Sequence, residues 1–566
     1  GGQMASKDSK ASSSAAPSEA SPLVPDDLDD APLPPFSFAE LLRFTGPGLM
    51  MSLAYIDPGN LEAEMQLGAY TGARLIWVLW WSTVIGAMLQ ELSARIGMVS
   101  GADLASAVRA HYPRWLNYTV YVNLELAIMG ADLQDLLGTA HALRLLTGLP
   151  LYIGCVVSSV LSMLLLYVYE AQRRYMEICI GVTILLVCFC FFANTFHAQP
   201  ELGPLVEGWF LPGMQPWAAL PALGCVGAVI MPHNLFLHSH VVLSRRNEDD
   251  SKAELRKVRV AIPSHPLAPL PSMPRVPSLQ SLFYMRIETC SSLFVTFTCN
   301  VAVVAMFWPL FYEPSCNSAE TKACVSRGLF GQHNKSIAAD GEIGEDCIIP
   351  ATGGDGICSE LELGDAGLAL GAVLGRSAML MWGLGLFVAG QASVLATTYA
   401  GQAIMDGCLR IQLPATTRVL ISRLISIGPA VGVAVWTEMS VEMAEKAQLM
   451  QWINAFQALQ LPFAMLPTLH FAADRGTLGS FRAAGLWLAL CWGVALTLIL
   501  ANVLLVTTFV IEWGGMWGPV VVGLALLYAA LYFSAIFTLS RHELAAVGGP
   551  IRSVAIGVTE RITGPG

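Results

Sequence analysis

Charge is scarce in this sequence. Only 13% of its 566 residues are Asp, Glu, Lys or Arg, against 54% apolar ones, and the mean hydropathy is +0.57. An average soluble domain carries about 25% charged residues, so this chain has too little polar surface to coat soluble domains. The formal net charge is −11 and no block of Lys and Arg stands out, which excludes a nucleic-acid-binding chain. No Cys-x-x-Cys occurs, so a thiolate zinc site is not expected. No phosphate-cradling glycine loop and no paired nucleophile and base falls on a soluble segment, which argues against an enzyme. Residues 1–38, rich in Ser, Ala, Pro and Asp, have no apolar core and read as a disordered cytosolic tail, not a signal peptide. What remains is an all-α, polytopic membrane protein.

A helix needs roughly 20 apolar residues to cross about 30 Å of hydrocarbon. Twelve runs qualify, at about 43–70, 74–97, 117–146, 150–169, 176–197, 217–243, 286–312, 367–405, 417–436, 449–472, 481–510 and 515–540. They define a transporter domain over 39–540, followed by a cytosolic tail over 541–566. Lys and Arg set the orientation: Arg173, Arg174, Arg245 and Arg246 fall on one side, while the other holds only Arg74, Lys322, Arg327, Lys335 and Lys446. Both termini and the proline-rich linker 244–285 are therefore expected in the cytosol, and loop 313–366 outside. That loop carries Cys316, Cys324, Cys347 and Cys358 and the sequon at Asn334. These suit an oxidising, glycosylating compartment, with two disulfides and three pairings open.

Two spans are interrupted in the same way. The first reads Ala54-Tyr55-Ile56-Asp57-Pro58-Gly59-Asn60 and the sixth Ala228-Val229-Ile230-Met231-Pro232-His233-Asn234. Proline opens a helix by removing a donor and clashing one turn back, and opened backbone at membrane depth must line a cavity or lie in protein. Matching breaks in two five-span halves predict an inverted repeat of spans 1–5 and 6–10, with discontinuous helices 1 and 6 around a midplane site, plus spans 11–12. Asp57 could be a buried helix cap. Yet a carboxylate at this depth costs at least ~2.5–3.5 kcal/mol, and the neighbours complete a cation shell: the Asn60 amide, the carbonyls of Ala54 and Ala228 freed by the prolines, and the Met231 sulfur. Oxygen ligands alone suit magnesium, calcium or sodium; a thioether favours late first-row metals.

These motifs, with Gly390-Gln391-Ala392-Ser393 and Thr398-Tyr399-Ala400-Gly401-Gln402, resemble the natural resistance-associated macrophage protein (Nramp) family, in its eukaryotic form, from Thr45 to about Ala464. The resemblance implies a LeuT-type fold and proton-coupled transport of manganese or ferrous iron toward the cytosol, with no permanent cofactor. It implies that Asp57, Asn60, Met231, Ala54 and Ala228 hold the metal, joined by Asn454 and, more weakly, Gln457. Glu125, Asp132 and Asp135 share one face of span 3 and form a proton pathway with Arg418, Arg423 and His233; the position of Asp135 is usually Glu in the family. Those acids could instead pair with the two arginines as structural ion pairs. A monomer in the plasma, endosomal or vacuolar membrane is expected, with metal ion, proton and lipid as its partners. The alternatives are a magnesium-type relative and a sodium-coupled amino-acid carrier, which would need neither Asp57 nor Met231.

Overall fold

The computed structural model describes residues 36–171, 173–215, 218–245, 279–316, 322–327, 345–410, 415–439, 444–513 and short pieces between 523 and 538. The tails, most of the 244–285 linker, Asn334 and most of the twelfth span lie outside the described residues.

Proline and glycine decide where the helices stop. Span 1 is two helices, Pro47–Ala54 (1a) and Pro58–Thr71 (1b), and span 6 is Ala219–Val229 (6a) followed by 232–245 (6b). Span 2 is Ile76–Ser100, span 3 Arg114–Thr147, span 4 Leu151–Ala171, span 5 Arg173–Ala198 and span 7 Leu279–Phe311. Span 8 is Arg376–Leu409, span 9 Ala415–Met439 and span 11 Gly485–Trp513. The architecture is the inverted repeat expected, and three details differ from the sequence reading. The apolar run at 367–405 is split at Gly375, whose φ of +91° no side chain adopts easily; Leu363–Leu374 is a separate helix before span 8. Span 10 is likewise divided, into Ala444–Gln460 and Pro462–Ala473. An unforeseen helix, Leu202–Phe210, joins spans 5 and 6.

Burial sorts the spans. Among the described residues, six helices are long and apolar enough to cross a membrane. Those of spans 4, 5 and 11 bury only 39, 33 and 17% of their apolar windows, and Leu164, Leu185, Phe189 and Leu496 stay exposed. These are lipid-facing surfaces. Span 1b is the opposite: every residue from Pro58 to Thr71 is buried, so its acids and amides face protein, not lipid.

Loop 313–366 is tied by Cys316–Cys358 and Cys324–Cys347, settling which of the three pairings occurs. Around them lies a small antiparallel sheet of β1 (Ala323–Ser326), β2 (Asp346–Ile348) and β3 (Asp355–Ser359), in the order β1-β3-β2.

At the N-terminal end of span 1a, Glu288 of span 7 caps the helix by accepting from the Gly46 and Gly48 N–H groups, the latter at 3.0 Å. Phe44 stacks on Tyr284, and Arg245 of span 6b donates to the Thr45 carbonyl at 2.9 Å. Nearby, Asp103 caps the helix Leu104–His111, accepting from Ser106 N–H at 2.7 Å and from His240 Nδ1 at 2.9 Å. Burial pushes the Asp103 carboxyl up, but these bonds outweigh it and hold the group below its usual range. A carboxyl lowered in the native state stabilises above its unfolded pKa of ~3.9, and that contribution is lost as pH falls through the native value. Asp103→Ala should therefore cost about 1 kcal/mol near neutral pH. Thermal melting across a pH series checks this, since the gap to wild type should close below pH ~4.

Candidate metal centre

The two breaks expose backbone oxygens by subtraction. Pro58 and Pro232 have no N–H, so the carbonyls of Ala54 and Ala228, four residues earlier, cannot close helical bonds. Ala54 and Ala228 are buried, and so is Met231, which sits in the non-helical step of span 6.

Asp57 divides its oxygens between two tasks. Oδ1 caps span 1b, accepting from the Asn60 N–H at 3.0 Å and from the Asn60 side-chain amide at 2.6 Å. Oδ2 is buried without a hydrogen-bond partner, and so is Asn60 Oδ1. Capping thus accounts for half of the carboxylate. The other half, at 0% exposure, is costly in a dry interior unless a cation completes it. A free carboxylate oxygen, a free amide oxygen, opened carbonyls and a thioether form a donor set that fits a partly dehydrated divalent transition metal.

Span 10 meets this centre through amides. Asn454 Oδ1 accepts from Gln134 Nε2 at 2.7 Å, and Asn454 Nδ2 donates to the Gly59 carbonyl at 3.2 Å. Gln457 Nε2 donates to Gln134 Oε1 at 2.7 Å, leaving Gln457 Oε1 without a partner. Gln457, which the sequence reading weighted less, therefore carries the free oxygen, while that of Asn454 is engaged. Farther along span 1b, Gln451 donates to Gln66 and Gln66 to Glu62, each at 2.5 Å. This ladder joins spans 1b and 10.

The close approach rests on missing side chains. A Cβ at Gly138 of span 3 would overlap the Pro58 ring, and one at Gly227 of span 6a the Asn454 carbonyl.

On span 3, Asp132 Oδ1 accepts from Thr397 of span 8 and Oδ2 from Ser426 of span 9, both at 2.8 Å. Asp135 Oδ2 lies 3.5 Å from the same Thr397 hydroxyl. Glu125, one helical turn after Tyr121, is only partly buried. Arg418 and Arg423 fall on span 9, but their side chains lie outside the described residues. His233 is fully buried with neither ring nitrogen hydrogen-bonded.

Sequence reasoning did not single out Gln134, Thr397, Ser426 or Glu64. Gln134 faces away from the acid stripe of its own helix, so the periodicity that exposed Asp132 and Asp135 hid it. Glu64 is fully buried with both oxygens unpartnered; a third acid within the first span, after Asp57 and Glu62, was the available signal.

A family model described as natural resistance-associated macrophage protein-like matches residues 48–508. The chain is 35% identical to Protein Malvolio of Drosophila melanogaster over 81% of its length and 71% of the relative's. It is 34% identical to natural resistance-associated macrophage protein 1 of Homo sapiens, over 77% of this chain and 72% of that one. A crystal structure of a manganese transporter mutant from Eremococcus coleocola superposes with a TM-score of 0.67 at 23% identity, covering 92% of this chain and 99% of that one.

Proposed function

This chain belongs to the Nramp family of metal transporters, and from that premise we propose that it carries Mn²⁺ or Fe²⁺ toward the cytosol by alternating access, coupled to protons. The observation that carries the reading is the pair of orphaned oxygens, Asp57 Oδ2 and Asn60 Oδ1, buried at the break of span 1.

In this reading the ion arrives from the extracytosolic side and loses part of its water shell. It binds Asp57, Asn60, Met231 and the Ala54 and Ala228 carbonyls, and Gln457 Oε1 joins as spans 1b and 10 close. Asn454 holds Gln134 and the Gly59 carbonyl in place. Release requires span 1a to leave its cytosolic moorings at Glu288, Tyr284 and Arg245. The proton takes a separate route from Asp57 by His233 or Asp132, with Asp135, Glu125, Arg418 and Arg423 along it. Coupling follows because a cation beside Asp57 disfavours its protonated form. The protein acts as a monomer with both termini in the cytosol, is glycosylated at Asn334, and resides in the plasma membrane or an endosomal or vacuolar one. An amino-acid carrier is disfavoured because Asp57 would repel the substrate's own carboxylate.

Purified protein in liposomes with an internal pH dye tests this. Added Mn²⁺ should enter and acidify the lumen together; uptake of leucine, or Mn²⁺ influx at constant internal pH, would contradict it. Met231→Ala should keep manganese transport while lowering the manganese-to-calcium preference about tenfold, equivalent to ~1.4 kcal/mol. An unchanged preference would remove the sulfur from the shell.

A further inference from the structure

We propose that span 6b holds a second, transient station for the divalent metal, with His238 Nε2 and Asn234 Oδ1 as its ligands; the inference rests on the transport reading above. His238 is 0% exposed, and its Nδ1 lies 2.8 Å from Gln90 Oε1 of span 2. The orientation of Gln90 is fixed, because its Nε2 donates to the Tyr55 hydroxyl at 3.4 Å. An amide oxygen can only accept, so the histidine proton sits on Nδ1 and Nε2 presents a bare lone pair. Nε2 has no hydrogen-bond partner. A neutral imidazole whose far N–H is held by a carbonyl is the arrangement that metal-binding histidines adopt.

Asn234 supplies the second donor. It precedes His238 by four residues, which places both on one face of the helix. It is also 0% exposed, with neither Oδ1 nor Nδ2 hydrogen-bonded. Buried polar atoms left without partners on adjoining turns call for a ligand, and imidazole nitrogen with amide oxygen suits first-row divalent ions. His233 is not part of this pair: five residues from His238, it points to another side of the helix. His238 follows Met231 by seven residues, about 10 Å along the helix axis. The station thus lies in series with the central site, toward the cytosol. Its ligands are neutral, so it holds an ion more weakly than Asp57 does, as a step toward release requires. Tyr55 closes the broken end of span 1a, so through Gln90 the station is joined to the helix that must move.

The test uses full-length protein in nanodiscs with Mn²⁺ as the only added ion. Equilibrium binding should count about two sites in the wild type and one each in Asp57→Ala and His238→Leu. Pulsed EPR of Mn²⁺ bound to Asp57→Ala should show coupling to a directly bound ¹⁴N nucleus. That signal should vanish in the double variant with His238→Leu, and in Asp57→Ala grown with ¹⁵N-histidine, which needs no further substitution. Gln90→Leu should weaken this site about tenfold. If Asp57→Ala binds no Mn²⁺ up to about 1 mM, or shows no histidine nitrogen coupling, the station does not exist and the central site stands. If the wild type and Asp57→Ala bind equal numbers of ions, the central reading itself fails.

Discussion

Asp57→Asn yields a folded protein that no longer holds manganese at the central site or moves it, and Asp57→Ala yields one that is also less stable. The two variants separate the two halves of one carboxylate. Oδ1 caps span 1b through the Asn60 N–H, and asparagine is as good a cap as aspartate, whereas alanine loses about 1 kcal/mol. Oδ2 is the acceptor with no protein partner, and neither substitute offers a negative oxygen there. Removing one charge from a buried ion contact costs about 3–5 kcal/mol, or about 100- to 4,000-fold in affinity. Calorimetric titration with Mn²⁺ measures the affinity, and thermal melting measures the cap. Uptake above one-tenth of wild type in either variant would mean that Asp57 is only structural.

The fold was legible where chemistry interrupts periodicity. Two prolines inside apolar runs located both broken helices, and Asp57, Asn60 and Met231 were visible because each adjoins such a break. Glycine boundaries were less legible: Gly375 divides an unbroken apolar stretch, and only its positive φ reveals the division. The cysteines of the outer loop announced two disulfides without their partners, since spacing does not encode which strands of a small sheet lie side by side. Contacts between spans were the least accessible. Gln134 reaches Asn454 and Gln457 across more than 300 positions, and nothing local distinguishes it from another amide on span 3. The weighting of Asn454 over Gln457 could not be decided from sequence either, because it depends on which amide oxygen Gln134 engages.

Asp132→Asn should part metal binding from proton movement. Three spans converge on this carboxylate: Thr397 of span 8 donates to one oxygen and Ser426 of span 9 to the other. Each hydroxyl can turn from donating to accepting, so an asparagine of the same shape keeps both contacts and the packing of spans 3, 8 and 9. What it loses is the capacity to take up and release a proton. Manganese affinity should therefore stay within about threefold of wild type, because the orphaned oxygens of Asp57 and Asn60 are untouched. Acidification of loaded liposomes should fall about 100-fold, the scale of a positioned proton carrier. Thr397→Val provides the complementary measurement: it deprives Asp132 and Asp135 of the hydroxyl near both, so a carboxylate relay through this point should slow without stopping. Full acidification by Asp132→Asn would move the proton route off span 3, leaving His233 beside the metal ligands as the remaining path from Asp57.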